Sequence, residues 1–575
     1  MSLIGTEATG TGKITGLHVA QGWDGTELLL RTRAREVEYY DETTEDWIEI
    51  GTNTLPAAAS GEDVAFANYW SLAGAQCWLS SPNSGLYKMF PDIPGSILDC
   101  YSSAINFKGY IRIKQNRLFS WYRPADLSSV RGSTIDTLTY TTVTNEVGDT
   151  GDGGKTYSGD LAAITGTRTA LAVQINDQDS VETFTDNHDG TLTGSAGGTG
   201  TINYITGVWA VTFNANVTAG KEIRATYQWE DSNENGISDF REASPRVAAE
   251  GFSFKQGDAG IMMNVLSYAD VEYCLHEKKA YALTLTKDDT GATNLIYRDK
   301  VAVPYWRACW ATGEGIWYLD DTDETGPAVR LLTYNQIGTQ VLPVAKSLNL
   351  DLSNYIFDAC AIIEYGDYIL VSCRTSDSSY NNRVFLYDKT WDAWTQLDWW
   401  VSCWTIYNGT LVAGDSISNN CYILLSGLDD DDSLINNSVE TWETDLEIEG
   451  LKRVKKIVLS GEIGPDQNCD IYANVDNGGY IKIGTIEGDG NYVDRGQKIS
   501  VGSLTLGRSE IGGGGTQGEI PAYNFVYQIN RLGLDKFERV KLKFVATGIG
   551  YCSISTIRWV DIRYKGKGKV PSKYR

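Results

Sequence analysis

The feature that most constrains this chain is a short strand phrase that keeps returning. Ser84–Asp92 reads SGLYKMFPD, Asn382–Asp398 reads NRVFLYDKTWDAWTQLD, and Glu36–Ile50 reads EVEYYDETTEDWIEI. Each pairs an apolar or aromatic strand with a tight polar turn, usually followed by a second strand. A unit this small cannot bury its own apolar face, so it must stack on copies of itself. Seven candidate repeats follow from the pattern: Thr26–Ile50, Val64–Asp92, Ile105–Asp126, Val271–Asp299, Ala308–Tyr334, Asp358–Asp398 and Cys403–Gly427. Their spacing of about 25–40 residues predicts β-propeller blades of irregular length. A series of β-sandwiches is the competing arrangement.

Between the third and fourth repeats the texture changes. Gly148–Gly159 is turn-rich (GDTGDGGKTYSG), and Thr201–Tyr204, Trp209–Phe213 and Ile223–Tyr227 alternate with period 2. This predicts a small β-sandwich inserted between blades, with its two ends close together. The acidic run Asp429–Asp432 predicts an exposed linker, because four adjacent carboxylates repel if buried. Beyond it, Val540, Leu542 and Phe544 point one way and Lys541 and Lys543 the other, which predicts a second sandwich. The expected organisation is all-β: first blades over 1–127, the insert over 128–252, further blades over 253–430, and a C-terminal sandwich with a basic tail over 431–575.

Composition narrows the chemistry. The 575 residues hold 74 acidic and 49 Lys or Arg side chains, a formal charge of −25. A body wrapped by nucleic acid needs a basic footprint, so that class is disfavoured, although DNA could slide past such a wall. No basic-then-apolar leader opens the sequence and no window resembles a membrane span, so no membrane insertion is expected. Cys77, Cys100, Cys309, Cys360 and Cys403 sit in or beside strand-like runs and read as small buried hydrophobes in a reducing compartment.

Histidine occurs three times, at His18, His188 and His276, never at ligand spacing, which argues against zinc catalysis or a His-based relay. GxSxG elbows, P-loops and dinucleotide fingerprints are absent, so no catalytic set is expected. Asp320, Asp321, Asp323 and Glu324 form the densest carboxylate cluster within a repeat and read as a solvated hairpin tip. Asp231–Glu242 (DSNENGISDFRE) places Asp231, Asn233 and Asn235 at calcium-loop positions 1, 3 and 5, with Gly236 at the turn. Ile237 would offer its carbonyl, Asp239 lies at position 9 and Glu242 at 12. The apolar residue stands one place early and flanking helices are lacking, so a structural calcium competes with an ion-free turn. Trp391, Trp399 and Trp400 are candidate partner or glycan contacts. Arg563, Lys565, Lys567, Lys569, Lys573 and Arg575 form a basic arm suited to docking on an acidic neighbouring subunit.

Asp189–Thr193 (DGTLT), Gly200–Gly207 (GTINYITG), Val211–Phe213 and Ala219–Tyr227 (AGKEIRATY) resemble a phrase of tailed-bacteriophage structural proteins. The phrase FLYDKTWDAWTQLD followed by a C-terminal β-domain resembles the propeller-bearing nozzle, or tail-tube, proteins of short-tailed phages. The resemblance implies a virion tail component assembled in the host cytoplasm. It would form a homo-oligomeric ring of six, contact a portal-proximal adaptor and tail fibres or spike, and meet DNA only in passage. It implies a structural protein that needs no cofactor, not an enzyme. Two other readings are a receptor-binding or fibre-associated protein that recognises cell-surface glycans, and a polysaccharide-cleaving propeller enzyme using the Asp320–Glu324 cluster.

Overall fold

The computed structural model describes residues 2–6, 12–51, 54–71, 74–95, 97–99, 109–114, 117–122, 129–132, 141–165, 168–179, 181–231, 252–253, 260–269, 271–283, 296–298, 301–321, 326–334, 341–347, 350–425, 437–446, 451–464, 466–488, 523–549 and 552–564. Among these the regular elements are all strands apart from one 3-10 turn at Ala57–Ala59. No helix of the described residues is long and apolar enough to cross a membrane.

The strands form ten separate antiparallel sheets. Eight have four strands each, and seven of these follow one another along the chain before residue 425. The first runs Ile14–Gln21, Glu27–Arg33, Glu36–Asp41, Asp46–Glu49, and the second runs Ala65–Ser71, Gly74–Ser81, Gly85–Met89, Ile97–Asp99. The third begins at Tyr110–Lys114 and takes its last strand, Phe252–Ser253, from beyond the insert. The fourth, fifth and sixth begin at Met262–Tyr268, Cys309–Ala311 and Tyr355–Tyr365. The seventh, Val401–Tyr407, Thr410–Asp415 and Cys421–Leu424, receives its fourth strand from Ser2–Leu3.

Apolar alternation puts one face of each sheet against its neighbour. Leu30, Val37, Cys77 and Met89 share a core between the first and second sheets, and Ile14, Leu29, Cys403 and Val412 share one between the first and the seventh. Larger cores join the second, third and fourth sheets, and the fourth, fifth and sixth. The initial strands of all seven border one cavity of about 400 Å³. Arg307 closes one side of it. Its guanidinium donates to the Thr15 carbonyl at 2.6 Å and to the Val64 and Ser402 carbonyls at 3.4 Å each. It also pairs with Asp63 at 3.3 Å and lies 4.5 Å from the Trp306 ring centroid.

The insert is one eight-stranded sheet whose outer strands are Thr141–Thr150 and Thr156–Asp160, joined by a short turn and curled until the sheet is nearly closed. Its interior holds Leu171, Phe184, Tyr204, Trp209, Phe213 and Tyr227, and the body contributes Phe90 and Ile93 to the same core. Leu425–Arg575, with Met1–Ser2, forms a second compact unit. Within it a four-stranded and a three-stranded sheet enclose Ile457, Leu459, Ile471, Phe537 and Leu542.

The expected fold, a β-propeller of irregular blades carrying a small sandwich, is corrected on this evidence. The repeated phrases fold into separate, regular four-strand antiparallel sheets, not a radiating set of irregular blades, and the insert is a single near-closed sheet. The reason is physical: period-2 alternation tells which face of a strand is buried, but the same alternation serves a second sheet or the far wall of one curled sheet.

Candidate functional site

Trp23 sits in the turn between the first two strands of the first sheet. The turn closes by Gly22 N–H to Thr26 O at 2.8 Å and Gly25 N–H to Gly22 O at 3.1 Å, with Gly25 at φ +88°. Side chains crowd the backbone at Gly22, where a Cβ would lie 2.4 Å from Asp92 Oδ1 and 3.3 Å from Asp24 Oδ1. The backbone N–H of Trp23 is drawn inward and donates to both oxygens of Asp92, at 2.9 and 3.1 Å. Its side chain is left 43% exposed. Trp70, near the end of the first strand of the second sheet, is 45% exposed, and the two rings stand 6.0 Å apart, tilted by 51°.

The insert supplies the third wall. His188 occupies a left-handed position (φ +65°) in the turn Asp186–Gly190 and places its ring 5.4 Å from that of Trp23. Asp186 fixes this turn by accepting from the His188 backbone N–H at 2.8 Å and the Tyr204 hydroxyl at 2.5 Å. The imidazole Nδ1 is shielded from solvent and has no hydrogen-bond partner among the described residues. Gly190 lies against Ile93, so the turn is seated on the loop that carries Asp92.

Three carboxylates gather here, and two of them are shifted in opposite directions. Burial pushes Asp92 up from 3.8 to about 6, and the negative charges of Asp24 and Asp189 add to the rise. Asp24, fully exposed, is held below its ordinary value by hydrogen bonds from the Thr26 backbone and side chain. Both distances run to the same point beside Gly22, so the Asp24 and Asp92 Oδ1 atoms lie within about 6 Å of each other, close enough to serve as a carboxylate pair. Asp189 accepts from the Thr191 N–H at 2.8 Å and its hydroxyl at 2.5 Å. Among the described residues no set of His, Cys, Asp and Glu is gathered closely enough to hold a metal ion. The arrangement offers an aromatic surface with one carboxyl inclined to keep its proton and one inclined to lose it.

The residues singled out from sequence lie elsewhere. Trp391 is 78% exposed on the turn after Arg383–Asp388, Trp400 is 40% exposed and Trp399 is half-buried. Among the described residues no ring contact joins these three. Trp394 is a packing residue whose indole N–H donates to the Lys346 carbonyl at 2.9 Å. Asp320 is no solvated tip: it is buried and paired with Arg330 at 2.9 Å. Asp321 is exposed, and Asp323 and Glu324 lie outside the described residues. Asp231 ends the strand Glu222–Asp231, while Asn233, Asn235, Ile237, Asp239 and Glu242 fall outside the described residues. Arg563 meets Asp561 at 3.2 Å, and Lys565, Lys567, Lys569, Lys573 and Arg575 are likewise outside them.

Sequence reading missed Trp23, Trp70, Asp24 and Asp92. One signal was present: in GWDGT a tryptophan stands at a glycine-flanked turn, where it has no core to fill.

No protein-family model matches the chain, and no curated protein matches it. Among solved structures it is similar to Sqt1 of Saccharomyces cerevisiae, at 10% identity over 74% of this chain and 100% of that one, TM-score 0.34. It is similar to an exo-β-1,3-galactanase from Phanerochaete chrysosporium, at 9% identity over 73% and 99%, TM-score 0.22. It is also similar to a Trypanosoma rangeli sialidase, at 8% identity over 94% and 96%, TM-score 0.28. No phage tail protein stands among these, so the expectations of a virion tail nozzle and of a protein without enzymatic function are corrected. At such TM-scores the likenesses transfer no activity to this chain, and function has to be argued from its own residues.

Proposed function

We propose that the Trp23–Trp70 surface binds carbohydrate and that Asp92 and Asp24 act on a glycosidic bond held against it. The observation that carries this reading is the carboxylate pair, pushed apart in acidity, in the same turn and loop as the half-exposed Trp23, whose ring stands beside that of Trp70. Tryptophan faces take the C–H faces of a pyranose, and flanking carboxylates accept its hydroxyls. The neutral Asp92 carboxyl would give its proton to the leaving glycosidic oxygen as the C–O bond breaks. The Asp24 carboxylate, on the close spacing, would attack the anomeric carbon, and water would later release the sugar.

The test is release of reducing ends from a panel of neutral and acidic polysaccharides, measured across pH. Activity should decline as pH rises through about 6, where Asp92 loses its proton. Asp92→Asn should reduce turnover by about 10²-fold or more, while Trp23→Ala should weaken substrate binding. No product from any polysaccharide would overturn the hydrolytic part. A second reading, glycan recognition without cleavage, is favoured by one contact: both Asp92 oxygens already accept from the Trp23 N–H. Saturable glycan binding lost in Trp23→Ala, with no product formed, would select it.

A further inference from the structure

The cavity bordered by seven of the four-stranded sheets has a lining that departs from the acidic balance of the chain. The chain carries a formal charge of −25, yet no carboxylate lines this cavity among the described residues, whereas Arg112 and Arg307 do. Arg307 is fully engaged by Asp63 and three carbonyls. Arg112 is not: its guanidinium donates to the Val265 carbonyl at 2.8 Å, and among the described residues no carboxylate pairs with it, Glu272 acting on it only as a nearby charge. A shielded guanidinium without a contacting anion is costly, and a carboxylate would remove that cost through paired N–H donors.

Tryptophans give the cavity much of its wall. Trp121 and Trp404 also line it, and their indole N–H groups reach the Met263 and Ala361 carbonyls at 2.6 and 3.1 Å. Trp306 is the third, its indole nitrogen sealed from solvent and without a hydrogen-bond partner among the described residues. Trp310, also in the lining, is 38% exposed. The remaining lining is largely aliphatic and aromatic, and about 400 Å³ is within the range of small-molecule sites.

We infer that this cavity binds a small monocarboxylate carried on a flat apolar body, with the carboxylate on Arg112 and the body among the tryptophans. This site is separate from the Trp23–Trp70 surface and stands whether or not that surface acts on glycans. Phenylacetate, phenylacetamide and phenyl phosphate serve as probes, read by quenching of intrinsic tryptophan fluorescence and by calorimetry on the full chain. Phenylacetate should bind saturably and the uncharged amide at least tenfold more weakly. Arg112→Met should cost phenylacetate at least tenfold, and Trp23→Ala should leave its affinity unchanged. Equal affinity for acid and amide, no saturable binding, or tighter binding of phenyl phosphate would each overturn the inference. If Arg112→Met does not fold, the acid–amide comparison on the unaltered chain decides.

Discussion

At the scale of single residues, two titratable groups should give opposite pH signatures. Asp92 has its folded pKa raised to about 6 from 3.8, so above pH 6 folding must shield a charge that the unfolded chain leaves in water. That penalty vanishes below the unfolded value, where both states are protonated. Asp92→Asn should therefore raise the unfolding midpoint at pH 7.5 and leave it nearly unchanged at pH 4, since an amide oxygen can still accept from Trp23 N–H. A variant that gains stability while losing function is the mark of a group kept for chemistry. His276 has the reverse sign. It is buried against Tyr281, and burial lowers its pKa to about 4 from 6.5. Its contribution is complete above pH 6.5 and is lost as pH falls toward 4, because the unfolded imidazole takes up its proton first. His276→Gln should narrow the difference in urea midpoint between pH 7 and pH 4.5; an unchanged difference would remove His276 from the account.

At the scale of elements, the insert shows what alternation in sequence can and cannot specify. Tyr157, Trp209, Val211, Ile223, Ala225 and Tyr227 all point inward, as period-2 alternation requires. What lies opposite them was not legible, because a wall of the same curled sheet demands the same pattern as a second sheet. Two glycines mark the curl. A Cβ on Gly148 would lie 2.4 Å, and one on Gly159 2.7 Å, from the Trp209 ring, so the indole is packed against backbone where side chains would otherwise stand. Gly148→Val should overpack this contact and destabilise the insert by about 1–3 kcal/mol. Trp209→Ala should cost about 3–5 kcal/mol through the cavity it leaves. Denaturant unfolding checks both, and a Gly148→Val variant as stable as the parent would show that the indole has room to move.

At the scale of the whole molecule, the repeated strand phrases were readable because each is local, a strand and a turn within a few residues. The candidate site was not, because it is assembled from the turn at Trp23, the strand end at Trp70, the loop at Asp92 and the insert turn at His188. No spacing rule links positions so far apart, and Asp24 and Asp92 acquire different acidities only from how they are enclosed. Arg307 shows the same dependence on assembly. It stands between the fourth and fifth sheets, bonds Thr15 of the first and Ser402 of the seventh, reaches Val64 and Asp63 before the second, and accepts from Ile362 N–H of the sixth at 2.9 Å. Arg307→Met should therefore destabilise the Leu3–Leu424 unit by about 3–5 kcal/mol, since it strands the Asp63 charge and leaves three carbonyls short of a donor. Asp63 would keep Lys13, at 2.9 Å, which sets the lower end of that range. Arg307→Lys should recover only part of the loss, because one ammonium cannot present the planar fork that reaches several sheets at once. Urea unfolding of the two variants checks this. Equal stability of lysine and arginine would mean that the charge on Asp63 matters and the bonds between sheets do not.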